Sequence, residues 1–427
     1  MEIIKLTNKN LLLFLLILSI PFQFKITELN HFQNIYLTEF LFVLIVLITF
    51  NINFFKNIKD EFNYIDLCVI YYLISCIISF LLGSKYFISY EDIFGYFYLT
   101  FLYFYIKFLL NKKFTNLIIT FFVISALVCS IIGLIGFTNS LFVNKSNFLL
   151  HFENNYPYFG EVNRIQSIMR SPSMMCNFLI IGVCASFIKL LKNKSYINFL
   201  IFIIIISCFT LSLTKSLICL ILSLYIILIS YSNFKRNLKI TFSTFAIILV
   251  ILIYFTISHF LISFEPIKNY NDNIFILVDK YYKYTFFKHE IFIYPTSYYY
   301  NKIASMLAFS NNPLFGVGIG NYNLFIDELK TFNNFPLNFP NWDPHSTYFG
   351  ELAEKGILGI ISLFLFFIFI FYLLAKNINY FGNDLLILTI AVLIFVLIDA
   401  ISLDVTKFKH LWIYLAIISI NLKKNFN

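Results

Sequence analysis

Charged residues are scarce in this chain of 427 residues: Asp, Glu, Lys and Arg together account for 12% of it, whereas hydrophobic residues account for 60%. The mean hydropathy of +0.82 lies well outside the range of soluble domains. Cys-x-x-Cys pairs are absent, and all seven cysteines fall within apolar runs. We therefore interpret the cysteines as small core residues rather than as disulfides or metal ligands.

Long apolar runs recur along the whole sequence. A hydrocarbon core about 30 Å thick needs roughly 20 apolar residues per helix, so each run predicts a membrane span. The predicted fold class is all-α, a polytopic membrane protein of about twelve transmembrane helices. The predicted spans are 10–24, 35–55, 64–82, 91–110, 114–137, 172–190, 196–213, 215–231, 239–263, 356–375, 385–403 and 409–421.

The distribution of lysine predicts the orientation of the spans. With the N-terminus inside, the cytoplasmic ends and loops hold far more basic residues than the short outer loops do. Both termini are therefore predicted to be cytoplasmic. The formal net charge of +9 follows mostly from this topology, and no basic stripe suited to nucleic acid is visible.

Two predicted outer segments, 138–171 and 264–345, are longer than simple connections need to be. Long loops of this kind tend to carry function. The chain is accordingly divided into residues 1–263 with spans one to nine, a large and partly helical outer loop at 264–345, and residues 346–427 with a leading helix and spans ten to twelve.

The middles of the predicted spans carry almost no charge. Glu39, Asp92, Asp399 and Asp404 fall near outer span ends, Asp66 falls near an inner end, and all six histidines map to the outer half. A transporter coupled to protons or ions usually has ionisable groups near the bilayer midplane. Polar chemistry is therefore predicted at the outer membrane face.

Arginine is rare, with three residues in the chain, and two of them, Arg164 and Arg170, share one outer loop. They precede Ser171 and Pro172, which are predicted to open the sixth span. A guanidinium offers a planar fork of donors suited to phosphate oxygens, and a helix N-terminus adds a positive dipole end. These residues predict a phosphate or pyrophosphate clamp. The alternative is a contact with lipid headgroups or an exposed ion pair.

A histidine in the last part of the large loop is a candidate general base. Asp343 is predicted to cap a helix that carries a proline at its first position and His345 in its first turn. That location lowers the pKa of an imidazole and keeps it able to accept a proton from a sugar hydroxyl. The alternative is a capping histidine in the headgroup region. Glu351 and Glu354 either orient the substrate or pair with Lys355.

Three stretches of this sequence resemble the signature of the O-antigen ligase/polymerase family. In that family the histidine is usually followed by asparagine and an aromatic residue, then by Glu-x-Gly-x-x-Gly; here Ser346 replaces the asparagine. The Arg…Pro-Asn pattern is matched by Arg164 and Pro172, and the Thr-x-Ser-Arg turn by 214–217, where Lys215 supplies the charge that Leu217 lacks. The main match comprises Asn312-Pro313-Leu314-Phe315-Gly316-Val317-Gly318-Ile319-Gly320-Asn321, Pro344-His345-Ser346-Thr347-Tyr348, Glu354, Gly356 and Gly359.

The resemblance implies a metal-independent, inverting glycosyltransferase at the outer face of a bacterial inner membrane, with no cofactor. Its donor is a glycan on undecaprenyl pyrophosphate. Arg164, helped by Lys215 or Arg170, would hold the pyrophosphate leaving group, and His345 would deprotonate or orient the acceptor hydroxyl. Members also carry a basic residue in the large loop, for which the candidates are Lys280, Lys283, Lys288 and Lys302. The implied substrate-binding residues are Arg170, Lys215, Tyr348, Glu351 and Glu354.

Three functions are consistent with these features. A polymerase in O-antigen or capsule polysaccharide biosynthesis, which we favour, transfers the growing chain onto another lipid-linked repeat unit. A ligase in lipopolysaccharide biosynthesis transfers it to lipid A–core. A flippase for lipid-linked oligosaccharides is less consistent with the charge-free span middles. The expected partners are the lipid-linked donor and acceptor and membrane lipid, with a chain-length regulator left open.

Overall fold

The chain folds as a helical membrane protein with a few short β-hairpins. The computed structural model describes residues 8–23, 25–27, 35–49, 62–84, 90–109, 114–143, 148–156, 160–263, 282–286, 289–331, 343–376 and 383–421. Its helices are α1 (Asn8–Ser19), α2 (Leu37–Thr49), α3 (Tyr64–Leu82), α4 (Tyr90–Leu109), α5 (Thr115–Val143), α6 (Pro172–Lys192), α7 (Tyr196–Leu211), α8 (Ser216–Tyr231), α9 (Arg236–His259), α10 (Ser297–Asn311), α11 (Tyr322–Thr331), α12 (Thr347–Lys376), α13 (Asn383–Asp399) and α14 (Lys409–Asn421).

The strands form three small antiparallel sheets. They are β1 (Lys25–Thr27), β2 (Ile35–Tyr36), β3 (Leu150–Tyr156), β4 (Gly160–Ile165), β5 (Phe260–Ser263), β6 (Tyr282–Phe286) and β7 (His289–Pro295). β1 pairs with β2, β3 pairs with β4, and the third sheet has the order β5-β7-β6. β3 and β4 lie within the loop predicted at 138–171. The loop predicted at 264–345 contains β6, β7, α10 and α11, so it is partly helical as expected.

Each of the twelve predicted spans coincides with a helix. Within the described residues, α3, α5, α6, α9 and α12 are long and apolar enough to cross a membrane, by length and composition. The helices α1, α2, α7 and α8 are shorter but also apolar. The predicted span 356–375 starts at the kink that Gly356 makes inside α12, and the residues from Thr347 to the kink form the leading helix that the sequence predicted.

Local capping explains where two of the helices begin. Asn63 precedes α3 and accepts hydrogen bonds from the N–H groups of Ile65 and Asp66, while the carboxylate of Asp66 accepts from the Asn63 N–H at 2.6 Å. This is a capping box, which satisfies N–H groups that the first turn leaves without a partner. At α6, Ser171 accepts from the N–H of Met174, and Pro172 occupies the first turn. The helix predicted to open at Ser171 and Pro172 therefore begins there.

The core of the bundle is built from aliphatic and aromatic side chains. All seven cysteines are buried and unpaired, which confirms their interpretation as core residues. A buried polar cluster lies between α3 and α4, where Asp66 forms an ion pair with Lys107 and accepts a hydrogen bond from the hydroxyl of Tyr103 at 2.7 Å. Both charges are removed from solvent, so each is stabilised mainly by the other. Loss of one partner would leave the other charge buried without compensation and would strongly destabilise the fold.

A kink in α12 joins the two halves of the sequence signature. Gly356 has φ of 63° inside this helix, and the N–H of Ile357 donates to the oxygen of Pro313 at 2.9 Å. The N–H of Gly318 donates to the oxygen of Glu354 at 3.0 Å. The turn at 312–321 therefore supplies partners to the backbone groups that the kink exposes, as a buried irregular backbone requires.

The account predicts that Gly356→Ala destabilises the fold. A Cβ at residue 356 would lie 2.6 Å from the oxygen of Pro313, and the positive φ is itself unfavourable for alanine by about 1–2 kcal/mol. Gly95→Ala in α4 is the matched control, because nothing lies within 4 Å of its added Cβ. Thermal unfolding in detergent measures the difference. Equal unfolding temperatures for the two variants would contradict the role of the kink.

Candidate functional site

Several helix ends and loops meet at one end of the bundle, which we call the loop face. It is defined by the hairpin β3–β4, the turn 212–215 between α7 and α8, helix α10, and residues 343–346 before α12. The hydrogen bonds described below connect these segments to each other. The residues predicted to lie on the outer side of the membrane therefore gather at a common end of the bundle.

His345 lies just before α12 and not within its first turn. Its φ is 46°, in the left-handed region that residues other than glycine rarely adopt. The helix begins at Thr347, and the hydroxyl of Ser346 accepts from the N–H of Phe349 at 3.5 Å. The predicted cap at Asp343 and the predicted helical position of His345 are therefore wrong. The sequence could not reveal this, because Pro344 fits a helix start equally well.

Lys302, on α10, is buried directly beside His345. Its Nζ donates to the main-chain oxygen of His345 at 3.0 Å and lies 5.3 Å from the centroid of the Phe349 ring. Among the described residues no carboxylate forms an ion pair with it. Burial, followed by the charge of Lys215, holds the pKa of Lys302 well below its ordinary value. An anion bound here would stabilise the charged form of Lys302 and raise its pKa again.

Lys215 approaches the same position from the turn between α7 and α8. Its Nζ lies 4.0 Å from the centroid of the Tyr298 ring and donates to the main-chain oxygen of Ser258 at 3.3 Å. The Tyr298 ring is in turn 5.6 Å from the ring of His345. Tyr298 and Lys302 are four residues apart, so they project from neighbouring positions on α10. We call Lys215, Tyr298, Lys302 and His345 the cationic cluster.

Arg164 lies beside the cationic cluster on β4. Its Nε donates to the main-chain oxygen of Ser212 at 3.1 Å, three residues before Lys215. The side chains of Arg164 and Lys215 are therefore attached to the same short turn. The sequence left open whether Lys215 or Arg170 assists Arg164, and the structure brings Arg164 to the turn that carries Lys215. This arrangement concentrates positive charge on one part of the loop face.

Burial lowers the pKa of His345, and Lys302 and Lys215 lower it further. Asp343 and Asp404 act in the opposite direction without reversing the shift. The lowered pKa was predicted, but from a helix N-terminus; the structure gives burial as the larger cause. The imidazole is consequently neutral near pH 7 and able to accept a proton.

The pH dependence of activity should follow from this shift. Neutral imidazole is the active form, so a rate that depends on it should be constant above the ordinary histidine pKa of 6.5 and fall only at lower pH. Single-turnover rates measured between about pH 5 and pH 8 give the profile. An acid limb centred at or above 6.5 would contradict a buried, neutral His345 as the base.

A buried polar network connects the two segments that carry Lys215 and His345. The carboxylate of Asp399 accepts from the hydroxyls of Ser216 and Tyr254 at 2.7 and 2.9 Å, and from the amide of Asn177 at 2.9 Å. The next residue, Ala400, accepts from the N–H of Thr347 at 2.9 Å. Asp399 therefore helps to fix both segments, a role that its position near a span end did not reveal.

Three predicted substrate-binding residues of α12 face the protein interior. Glu351 forms a buried ion pair with Lys355 at 2.8 Å and accepts from the hydroxyl of Tyr72 at 2.6 Å. Of the two alternatives for Glu351, pairing with Lys355 is the one observed. Glu354 is also buried, and the hydroxyl of Tyr348 donates to the oxygen of Leu397 at 2.7 Å. These contacts stabilise the packing of α12 against α3 and α13.

The structure distinguishes among the four candidate lysines of the large loop by where they lie. Lys302 belongs to the cationic cluster, whereas Lys283 is exposed on β6 and pairs with Glu290 at 2.6 Å. Lys280 and Lys288 lie outside the described residues. Of the two candidate lysines that the structure describes, Lys302 is the one that lies beside His345. The sequence could not select it, because the contact depends on how α10 packs beside α12.

Arg170 lies against a different aromatic ring. Its guanidinium carbon is 4.9 Å from the centroid of Tyr36, and its main-chain N–H donates to the side-chain oxygen of Gln23 at 3.1 Å. Arg170 is exposed, but its partial desolvation lowers the pKa of its guanidinium, which remains charged at neutral pH.

The chain is a helical membrane protein with a partly buried cationic cluster at one end of its bundle. In the described part of the chain, no group of three or more His, Cys, Asp and Glu side chains is placed to hold a metal ion. A comparison with models of known protein families and with curated proteins finds no match to this sequence.

Proposed function

We propose that this chain is an inverting, metal-independent glycosyltransferase at the outer face of a bacterial inner membrane. It polymerises oligosaccharide repeat units that are carried on undecaprenyl pyrophosphate. The observation that supports this proposal best is the meeting of Lys302, Lys215 and His345 at one point on the loop face. Transfer from a pyrophosphate donor needs positive charge to stabilise the departing pyrophosphate and a base to accept the proton of the acceptor hydroxyl. The two lysines supply the charge, and the histidine supplies the base.

The reaction assigns roles to the ionisable side chains of the cationic cluster and to Arg164 beside it. The acceptor hydroxyl attacks the anomeric carbon of the donor sugar, forming the new C–O bond as the bond to the pyrophosphate oxygen breaks, with inversion. His345 takes the proton of the hydroxyl. Lys302, Lys215 and Arg164 hold the pyrophosphate, whose negative charge increases as it departs. Cations that are already held in a partly buried site require little reorganisation during this step.

Placement in the membrane is part of the proposal. The loop face would lie on the outer side, with about twelve spans and both termini in the cytoplasm. The lipid tail of the donor would then remain in the bilayer, while its pyrophosphate would be at the level of the headgroups and of the cationic cluster. The sugars would extend outward beside the hairpin β3–β4 and helices α10 and α11.

Reconstitution tests this function. The purified protein is placed in liposomes with undecaprenyl-pyrophosphate-linked repeat units, with and without lipid A–core. We expect a ladder of glycan products without lipid A–core. Products that appear only when lipid A–core is added would instead identify a ligase, which uses the same chemistry on another acceptor. No new glycosidic bond with cognate substrates in either mixture would contradict both and favour a flippase.

A further inference from the structure

A second pair of cationic side chains surrounds the ring of Tyr36. The guanidinium carbon of Arg170 and the Nζ of Lys409 each lie 4.9 Å from the centroid of that ring, so they are at most 9.8 Å apart. Arg170 precedes α6, Tyr36 ends β2, and Lys409 begins α14. Three separate segments of the chain therefore bring these groups together on the loop face.

Among the residues that the structure describes, the charges around Tyr36 do not balance. Glu39 pairs with Lys409 through Oε1, and its Oε2 accepts from the main-chain N–H of Tyr36 at 3.0 Å. Arg170 is exposed, and no carboxylate among the described residues forms an ion pair with it. One positive charge is therefore left over in this group. Like charges at such a separation repel each other, and a bound anion would remove that repulsion.

The backbone holds Arg170 in place. Its main-chain N–H donates to the side-chain oxygen of Gln23, and the main-chain N–H of Gln23 donates to the oxygen of Ile168 at 3.3 Å. The next residue, Ser171, caps α6, whose N-terminus adds positive potential. Neither backbone bond uses the guanidinium, which lies against the Tyr36 ring, and Arg170 is exposed.

We propose that Arg170 and Lys409 bind the phosphate group of a second membrane lipid. A guanidinium matches two phosphate oxygens at once, and the neighbouring ammonium contributes a further positive charge. Both cations contact the ring of Tyr36 near the ends of helices. Helix ends in a membrane lie at the level of the lipid headgroups. The phosphate comes either from a second polyprenyl-pyrophosphate substrate or from an anionic phospholipid.

Arg170, Tyr36 and Lys409, which we call the Tyr36 site, are linked along the chain to Arg164, which lies beside the cationic cluster. Arg170 follows Arg164 by six residues, so their Cα atoms are separated by roughly 20 Å at most. Two phosphate-bearing lipids bound side by side would be held with their headgroups close together. If the second lipid is a substrate, the inference extends the proposed function by providing a place for the acceptor. Lipid binding itself does not require any transfer reaction.

Binding measurements on the full-length protein test this inference. Wild type and Arg170→Gln are placed in nanodiscs of neutral phosphatidylcholine, and bound ligand is measured by native mass spectrometry. The probes are undecaprenyl pyrophosphate, phosphatidylglycerol and inorganic pyrophosphate. We expect Arg170→Gln to weaken binding of a phosphate lipid by about tenfold, and Lys409→Gln to act in the same direction. Lys283→Gln, which removes an exposed positive charge elsewhere, should bind as wild type does.

The probes distinguish the two sources of phosphate. Weakening for undecaprenyl pyrophosphate alone identifies a second substrate, whereas weakening for phosphatidylglycerol as well identifies general recognition of phosphate headgroups. Wild-type binding of both lipids by Arg170→Gln, or weakening for inorganic pyrophosphate alone, would overturn the inference. Repeating the titration in a Lys302→Gln background separates the sites, because the effect of Arg170→Gln should persist there even if the proposed transfer activity is absent.

Discussion

Replacing His345 by asparagine is expected to reduce glycosyl transfer by roughly 10²- to 10⁴-fold while the fold is retained. Asparagine suits the φ of 46° at this position better than alanine does, since it tolerates left-handed backbone. The main-chain oxygen that accepts from Lys302 also remains. The substitution therefore removes the imidazole and little else.

The assay for His345→Asn is single-turnover transfer in liposomes, followed on a gel of labelled glycan. Thermal unfolding and expression level provide the control for folding, and both should match wild type. A base acts on the acceptor, so binding of undecaprenyl pyrophosphate should be unchanged in this variant. Transfer at the wild-type rate would remove His345 from the mechanism.

Neutralising the lysines of the cationic cluster should have an effect of similar size. Lys302→Gln and Lys215→Gln are each expected to lower the rate of transfer by roughly 10²- to 10³-fold, because each removes a fixed cation from the departing pyrophosphate. The double variant should lose less than the product of the two single effects, since both groups act on one leaving group. Binding of undecaprenyl pyrophosphate should weaken along with the rate.

Lys283→Gln is the matched control for these two variants. It changes the charge by the same amount on β6, where the lysine is exposed and pairs with Glu290. Exposed pairs of this kind contribute little to stability, so the control should fold and react normally. If Lys283→Gln lost as much activity as Lys302→Gln, the effect would reflect overall charge and not the cationic cluster.

The helical membrane fold was largely predictable because apolar runs and capping signals are local properties of the sequence. Ser171 and Pro172 opened a helix as expected, and the cysteines are buried. The start of α12 was not predictable in the same way. Its first turns are polar, and the hydrogen bonds from Thr347 to the oxygens of Ala400 and Leu403 that hold them are made with a distant segment.

The candidate site was predictable in residue type but not in its connections. The rarity of arginine predicted a role for Arg164 in phosphate binding, and the position of a histidine in a long loop predicted a role for His345 as a base. The choice of Lys302 depends on α10 lying beside residues 343–346, a long-range contact that no local pattern encodes. The separate position of Arg170 is a similar case, because its partner Tyr36 is far away in sequence.

A cryo-electron microscopy map of the protein with bound undecaprenyl pyrophosphate would test the central claim most directly. The account predicts density for the two phosphates within hydrogen-bond distance of Lys215 and Lys302, on the side of the cluster that faces Arg164, with His345 beside the position of the sugar. Diphosphate density that contacts neither lysine, with the cationic cluster unoccupied, would contradict it.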